Sequence, residues 1–165
     1  MANYPQKMEY PAEFLRGWPV DGGLELDYPI ANGQTLSAGD LVKPIVEGGI
    51  VKVTKTVAAD AALAIGHGAG IVVRGNGDDK SAAASGKAIV LWGDYIVKTQ
   101  KVADAVVAGD AVIAGGNATV QTVAATDGAF VVAAAATNAA MGVVLEVGGT
   151  AGSTTDPRYA VIVVR

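Results

Sequence analysis

The stretch AGDLV at residues 38–42 returns as AGDAV at residues 108–112, which is 70 positions further along the chain. Two more pairs of apolar runs recur 72 positions apart, namely 70–73 with 142–145 and 88–91 with 160–163. An ordered set of matches at nearly constant spacing indicates an internal repeat, and a repeat determines the architecture. We therefore predict two similar β modules, 35–98 and 108–165, joined by a linker at 99–107. The alternative is chance similarity within a chain rich in Ala, Gly and Val.

The residues between these matches are typical of short strands and tight turns. Val and Ile favour strands, and the 22 glycines in 165 residues favour turns between them. The sequence therefore predicts a mostly β fold that is barrel- or sandwich-like. Two Ala-rich stretches, 57–65 and 133–141, each have room for one helical turn. Predicted strands lie at 41–46, 50–57, 70–74, 87–92, 94–98, 111–114, 118–124, 129–134, 142–147 and 159–165.

Composition excludes several classes of function. Hydrophobic residues make up 51% of the chain but aromatic residues only 5%, so the core is expected to consist of Val, Ile, Leu and Ala. The formal net charge is −4 without a basic stripe, which disfavours a nucleic-acid partner. The absence of cysteine rules out disulfides and thiolate zinc sites. We found no signal-like leader and no apolar run of membrane-spanning length, so we expect a protein made in a cytoplasm with no membrane partner.

The first 34 residues differ from the rest, because they hold five of the nine aromatic residues and four of the six prolines. Proline fixes φ and lacks a backbone donor, so we predict that 1–34 forms an extended arm rather than a helix or a central strand. Aromatic side chains on such an arm need a surface to bury against. That surface belongs either to the arm's own domain or to a neighbouring chain. The candidate partner-binding residues are Tyr4, Tyr10, Phe14, Trp18 and Tyr28.

No set of residues suited to catalysis is evident in the sequence. His67 is the sole histidine, and no nucleophile or orienting acid accompanies it in the pattern that catalysis requires. We therefore predict that the protein is not an enzyme and has no catalytic residue, cofactor or metal. The pair Asp78-Asp79 lacks the spaced ligands of a calcium loop, and a solvated hairpin tip is the favoured interpretation. Gly39 with Asp40, and Gly109 with Asp110, are predicted to hold matching tight turns.

Taken together, the opening MANY at 1–4, the Gly-Asp-x-Val turns, the Gly/Ala/Val strands and the N-terminal arm resemble one family. They are similar to the decoration proteins of tailed-bacteriophage heads, also called cement or head-stabilising proteins. The resemblance implies a β-rich structural virion protein on the outer surface of the capsid, made in the host cytoplasm. It implies that the major capsid protein is the partner and that the chain forms a homo-oligomer, a trimer in preference to a dimer. It carries no catalytic residues.

A second class of function stays open at this point. A sugar- or receptor-binding β domain of a phage fibre or adhesin would expose aromatic platforms flanked by polar residues. Trp92, Asp94 and Tyr95 form the one such cluster in the sequence outside the arm.

Overall fold

The chain folds almost entirely into β-strands, as the sequence predicts. The computed structural model describes residues 12–16, 24–60, 69–78, 86–134 and 140–165. Within these residues the one helical element is a 3-10 turn at Ala58–Asp60. The strands are β1 (Ala12–Arg16), β2 (Leu24–Pro29), β3 (Leu41–Glu47), β4 (Ile50–Lys55), β5 (Gly70–Arg74), β6 (Lys87–Trp92), β7 (Tyr95–Thr99), β8 (Ala111–Gly115), β9 (Ala118–Val120), β10 (Val123–Thr126), β11 (Ala129–Val132), β12 (Gly142–Gly148) and β13 (Tyr159–Val164).

Most of these strands form two antiparallel sheets, and β9 with β10 forms a separate hairpin. The first sheet has the order β2-β6-β5-β3-β4, and the second has the order β7-β13-β12-β8-β11, extended at its β7 edge by β1. If β1 and the β9–β10 hairpin are set aside, the strands of both sheets follow the order 1-5-4-2-3 along the chain. The connectivity of the two sheets is therefore the same.

The pairing registers of the two sheets also correspond. Leu41 pairs with Ile71 in the first sheet, and Ala111 pairs with Val143 in the second. Each sheet has an irregularity at the same place, after Val72 in β5 and after Val144 in β12. These equalities are consistent with the predicted duplication, which stays a prediction.

A short parallel bridge curls each sheet into a half-barrel. In the first sheet Ile30 bridges Val53, and the amide of Ala31 donates to the carbonyl of Val53 at 2.9 Å. In the second sheet Val102 bridges Phe130, and the amide of Ala103 donates to the carbonyl of Phe130 at 2.9 Å. The strand that starts each sheet thus returns to the strand at its far edge.

The core consists of two apolar clusters. The smaller lies within the first half-barrel around Val42, Val53, Val72 and Val90. The larger is continuous from the second half-barrel to the outward face of the first sheet, where it includes Leu41, Ile71 and Leu91. As composition predicts, aliphatic side chains dominate both clusters, and burial of each such side chain contributes roughly 1.5–3 kcal/mol.

Three details differ from the sequence-based expectations. β7 pairs with β13 in the second sheet, although residues 94–98 were expected to close the first module. The predicted strand at 118–124 is divided into β9 and β10 by Gln121 and Thr122, which adopt positive φ angles of 52° and 67°. The dipeptide Asn32-Gly33, whose sequence is typical of a two-residue hairpin, forms a turn but no hairpin, because β2 pairs with β6 rather than with β3.

Candidate interaction surfaces

The two predicted Gly-Asp turns have the same geometry. Gly39 has a φ of 89°, and the Asp40 carboxylate accepts the amide of Ser37 at 2.8 Å. Gly109 has a φ of 92°, and the Asp110 carboxylate accepts the amide of Val107 at 2.9 Å. Both glycines occupy a left-handed backbone region that favours residues without a Cβ atom. Each turn leads directly into a strand, the first turn into β3 and the second into β8.

The two turns differ in what surrounds the carboxylate. Asp40 is fully buried, and its oxygens lie 3.4 Å from Nζ of Lys55 and 3.2 Å from Nζ of Lys101. Lys55 ends β4 in the first sheet, whereas Lys101 follows β7 of the second sheet. Asp40 therefore joins the two sheets through charge. Asp110 is half-buried, and no ion pair joins it to another described residue.

The junction between the sheets is a chain of hydrogen bonds centred on Gly128. The amide of Leu41 donates to the carbonyl of Gly128 at 2.8 Å, and the amide of Gly128 donates to the carbonyl of Thr56 at 2.8 Å. The Thr56 hydroxyl donates to the carbonyl of Gly115 at 3.0 Å. A side chain at Gly128 would lie 3.1 Å from the Leu41 carbonyl oxygen. Glycine thus lets the second sheet approach the first closely at this point.

Two exposed apolar surfaces lie on different sheets. The first is the tip of the β3–β4 hairpin, where Val46, Ile50 and Val51 are 75%, 55% and 49% exposed. The hairpin projects because the pairing of β3 with β5 ends at Val42. The second is the outward face of β12, where Val143 and Leu145 are 46% and 57% exposed. Exposed apolar patches of this kind mark sites where proteins meet other molecules.

A cleft of about 420 Å³ opens at the second of these surfaces. Val143, Leu145 and Val163 line it together with residues 140–142, and Arg165 also contributes to its wall. Its walls are predominantly apolar, so the cleft suits an apolar side chain better than a polar ligand.

The predicted arm is divided between the two sheets where the structure describes it. β1 pairs with β7 at the edge of the second sheet, and this pairing places the backbone of Phe14 beside Val97. Tyr28 lies in β2 at the edge of the first sheet, where its ring meets Trp92 edge-on at 6.0 Å. These segments therefore pack on their own chain. Tyr4, Tyr10 and Trp18 lie outside the described residues.

The aromatic cluster at 92–95 does not form an exposed platform. Tyr95 is buried in the larger core cluster, and this burial raises the pKa of its hydroxyl well above the ordinary value. Trp92 is half-buried and packs against the smaller cluster. A sugar ring therefore has no flat aromatic surface to stack on here.

Two further acidic residues of the described chain, Asp78 and Glu47, have structural roles. Asp78, expected at a solvated tip, is half-buried and accepts the amides of Ala38 at 2.9 Å and Gly75 at 2.7 Å. Glu47 accepts from Nζ of Lys52 at 2.8 Å and from the amide of Asn32 at 3.0 Å, and these bonds lower its pKa. Among the described residues, no group of three His, Cys, Asp or Glu side chains could hold a metal ion. His67 and Asp79 lie outside them.

The described part of the chain contains no helix long and apolar enough to cross a membrane. The sequence matches no protein-family model and no curated protein. Function must therefore be argued from the surfaces described above.

Proposed function

We propose that this protein is a structural virion protein that binds the outside of a phage capsid and stabilises contacts between major capsid subunits. The observation that carries the proposal is the pair of exposed apolar surfaces, at the β3–β4 tip and on β12, on a scaffold of two joined half-barrels. Exposed apolar surfaces of this kind indicate protein partners rather than small substrates. The sequence resemblance to head-decoration proteins supplies the kind of partner.

The scaffold suits a bracing role for a physical reason. Its two half-barrels share one core cluster and are joined by hydrogen bonds and by the buried Asp40. A partner bound at the surface on one sheet is therefore connected through folded structure to a partner bound at the surface on the other sheet. In this proposal the protein acts as a homo-oligomer, with a trimer preferred over a dimer on grounds of resemblance.

The competing function, a sugar- or receptor-binding domain, has weaker support. Its candidate site depended on Trp92 and Tyr95, and the burial of Tyr95 removes half of that platform. Sugar binding would need another aromatic surface, and the remaining candidates are the arm residues outside the described chain.

Purified virions give the direct test of the proposed function. We expect this chain in many copies per particle, on the head, in a fixed ratio to the major capsid protein. A location confined to the tail would contradict the proposal and would favour the receptor-binding alternative.

A second experiment tests whether the arm contributes to attachment. Deletion of residues 1–11 removes Tyr4 and Tyr10 but leaves β1 complete. We expect the shortened protein to keep its β-type circular dichroism and to bind empty heads about 10-fold or more weakly, because burial of an interfacial tyrosine contributes about 2 kcal/mol. Val123→Ala, at an exposed valine on β10 outside the arm, is the control. Unchanged affinity after the deletion would assign attachment to the β sheets.

A further inference from the structure

One row of side chains on the outward face of the first sheet is completely covered. Register places Leu41 beside Ile71 and Ile71 beside Leu91, so these residues form a line across β3, β5 and β6. All three are fully buried in the cluster that also contains the second sheet. The second sheet thus docks on this row.

The corresponding row on the second sheet is uncovered. Register places Ala111 beside Val143 and Val143 beside Val163, a line across β8, β12 and β13. Val143 is nearly half exposed, and Val143 and Val163 line the apolar cleft described above. The space around Gly109 is likewise more open than the space around Gly39. A Cβ at Gly39 would meet Ala12, Thr99 and Lys101, whereas a Cβ at Gly109 would have no described atom within 4 Å.

The residues of the second sheet that lie at this junction also have register equivalents in the first sheet. Gly115, which pairs with Ala129 in the second sheet, corresponds by register to Ile45, which pairs with Lys52 in the first. By the same register, Gly128 corresponds to Val51. These positions lie in the projecting β3–β4 hairpin, for which no corresponding hydrogen bond to the second sheet is found among the described residues.

Side-chain sizes are exchanged between the covered junction and its uncovered counterpart. Inside the chain, large Leu41 meets Gly128; in the counterpart, small Ala111 would meet Val51. Inside the chain, a Cβ at Gly39 would lie 2.8 Å from the Cβ of Ala12 and 3.0 Å from Oγ1 of Thr99; in the counterpart, the space at Gly109 is open among the described residues. Close packing requires such compensation, because interfaces reach the packing density of protein interiors.

We propose that the uncovered row of the second sheet is the docking site for the β3–β4 hairpin of a second copy of this chain. The contact repeats between chains the junction that Gly128 makes within the chain. Because it joins two different surfaces head to tail, repetition generates a closed ring if the rotation closes and a filament if it does not. The inference specifies the self-association within the proposed function, but its test needs no capsid.

Paired charge substitutions on the two surfaces test this proposal. Val51→Glu disables the hairpin and Val143→Glu disables the row, and both positions tolerate a charge in the isolated chain because they are about half exposed. We expect the wild-type protein to form oligomers in sedimentation velocity and each variant to self-associate about 100-fold more weakly. Val123→Glu, at an exposed valine on β10, is the matched control and should form oligomers of the same mass as the wild-type protein.

Mixing the two variants separates a head-to-tail contact from a symmetric one. Each variant keeps one intact surface, so an equimolar mixture of Val51→Glu and Val143→Glu should form a dimer and nothing larger. A wild-type protein that is monomeric at all concentrations, or variants that keep the wild-type mass, would overturn the inference. The capsid-binding experiment could still succeed in that case, so the two failures are distinguishable.

A disulfide provides a positional test, since the chain has no cysteine. A 2.8 Å backbone hydrogen bond joins Leu41 to Gly128, and hydrogen-bonded residues of neighbouring antiparallel strands have Cα atoms about 5.5 Å apart, within the range for a disulfide. We therefore expect a mixture of the single variants Ala111→Cys and Val51→Cys to give a covalent heterodimer on oxidation. Replacing Val51→Cys by Val123→Cys should abolish that product. Equal yields from the two mixtures would contradict the proposed register.

Discussion

At the residue scale, the two Gly-Asp turns are a matched pair whose surroundings differ. They share backbone angles and the Asx-type hydrogen bond, yet Gly39 and Asp40 lie at the junction between the sheets. Gly109 and Asp110 do not. The same substitution made in both turns therefore separates the energy of the turn from the energy of the junction.

Substitution of each glycine by alanine should have unequal effects. Gly109→Ala introduces a Cβ into open space and should cost about 1 kcal/mol, because φ is positive. Gly39→Ala adds a Cβ that would lie 2.8 Å from the Cβ of Ala12, so overpacking should raise the cost to about 3 kcal/mol. Urea denaturation measures both free energies of unfolding. Equal losses of unfolding free energy would show that β1 can move away from the new Cβ without loss of stability.

The buried carboxylate should be more sensitive than its partner in the second turn. Asp40→Asn keeps the hydrogen bond to Ser37 but leaves Lys55 and Lys101 without their counter-charge, which should cost about 3 kcal/mol. Asp110→Asn should change the free energy of unfolding by less than about 0.5 kcal/mol, because Asn and Asp serve such turns equally well. Thermal unfolding of both variants in parallel checks the difference. A neutral Asp40→Asn would mean that solvent screens both lysines.

Burial of Tyr95 predicts a loss of stability at alkaline pH. Its hydroxyl has a raised pKa in the folded protein, so its contribution is fully present below the ordinary tyrosine pKa of about 10. Above that value the unfolded chain releases the proton while the folded chain retains it, so the free energy of unfolding falls as pH rises. Tyr95→Phe should make the free energy of unfolding less dependent on pH in urea titrations over roughly pH 9 to 11, the range around that ordinary pKa. An unchanged slope would show that other groups cause it.

At the scale of strands, the sequence correctly predicts the boundaries of strands that are flanked by glycine. β5 and β6 begin and end at the predicted residues, because apolar runs rich in Val and Ile stand between turn residues. β9 and β10 were predicted as one strand, since their turn uses Gln121 and Thr122 at positive φ, positions that glycine usually marks. β2 was missed because Pro29 suggests a break, yet an edge strand tolerates proline at its end.

The candidate surfaces were less predictable than the strands. The two lysines that pair with Asp40 are distant in sequence: Lys55 ends β4 and Lys101 follows β7. No local sequence pattern therefore distinguishes Asp40 from Asp110. The exposure of the β12 row likewise depends on which sheet covers which. Both features follow from the placement of whole sheets, and a sequence pattern specifies only the two faces of each strand.

β1 provides the test at this scale. Deletion of residues 1–16 removes the edge strand and the buried Ala12 and uncovers β7, whereas deletion of 1–11 keeps both. We expect the longer deletion to lower the free energy of unfolding by roughly 1–3 kcal/mol relative to the shorter one. Guanidinium titration of the two proteins measures it. Equal stability would show that the β1 pairing contributes nothing net.

At the scale of the whole molecule, the larger core cluster makes the two sheets one unfolding unit. Separation of the sheets would expose Leu41, Ile71 and Leu91 together. We therefore expect a single cooperative transition in urea. In a Trp18→Phe variant, the fluorescence of Trp92 reports on the first sheet, and its transition should coincide with that of the far-UV circular dichroism. Two separated midpoints would mean that the half-barrels unfold independently.

The placement of β1 and β13 on either side of β7 has a mechanical consequence. Both strands are antiparallel to β7, so they run in the same direction, and register sets Ala12 and Ala160 level with Thr99. A tensile force that draws Ala12 away from Val164 must then slide β1 along β7 and β7 along β13. Such a force loads the ladder hydrogen bonds in shear, all at once, because they lie across the strands. In the proposed capsid role, a molecule held at both ends would carry tension through this set of bonds together, and its resistance to force would exceed what its thermal stability suggests.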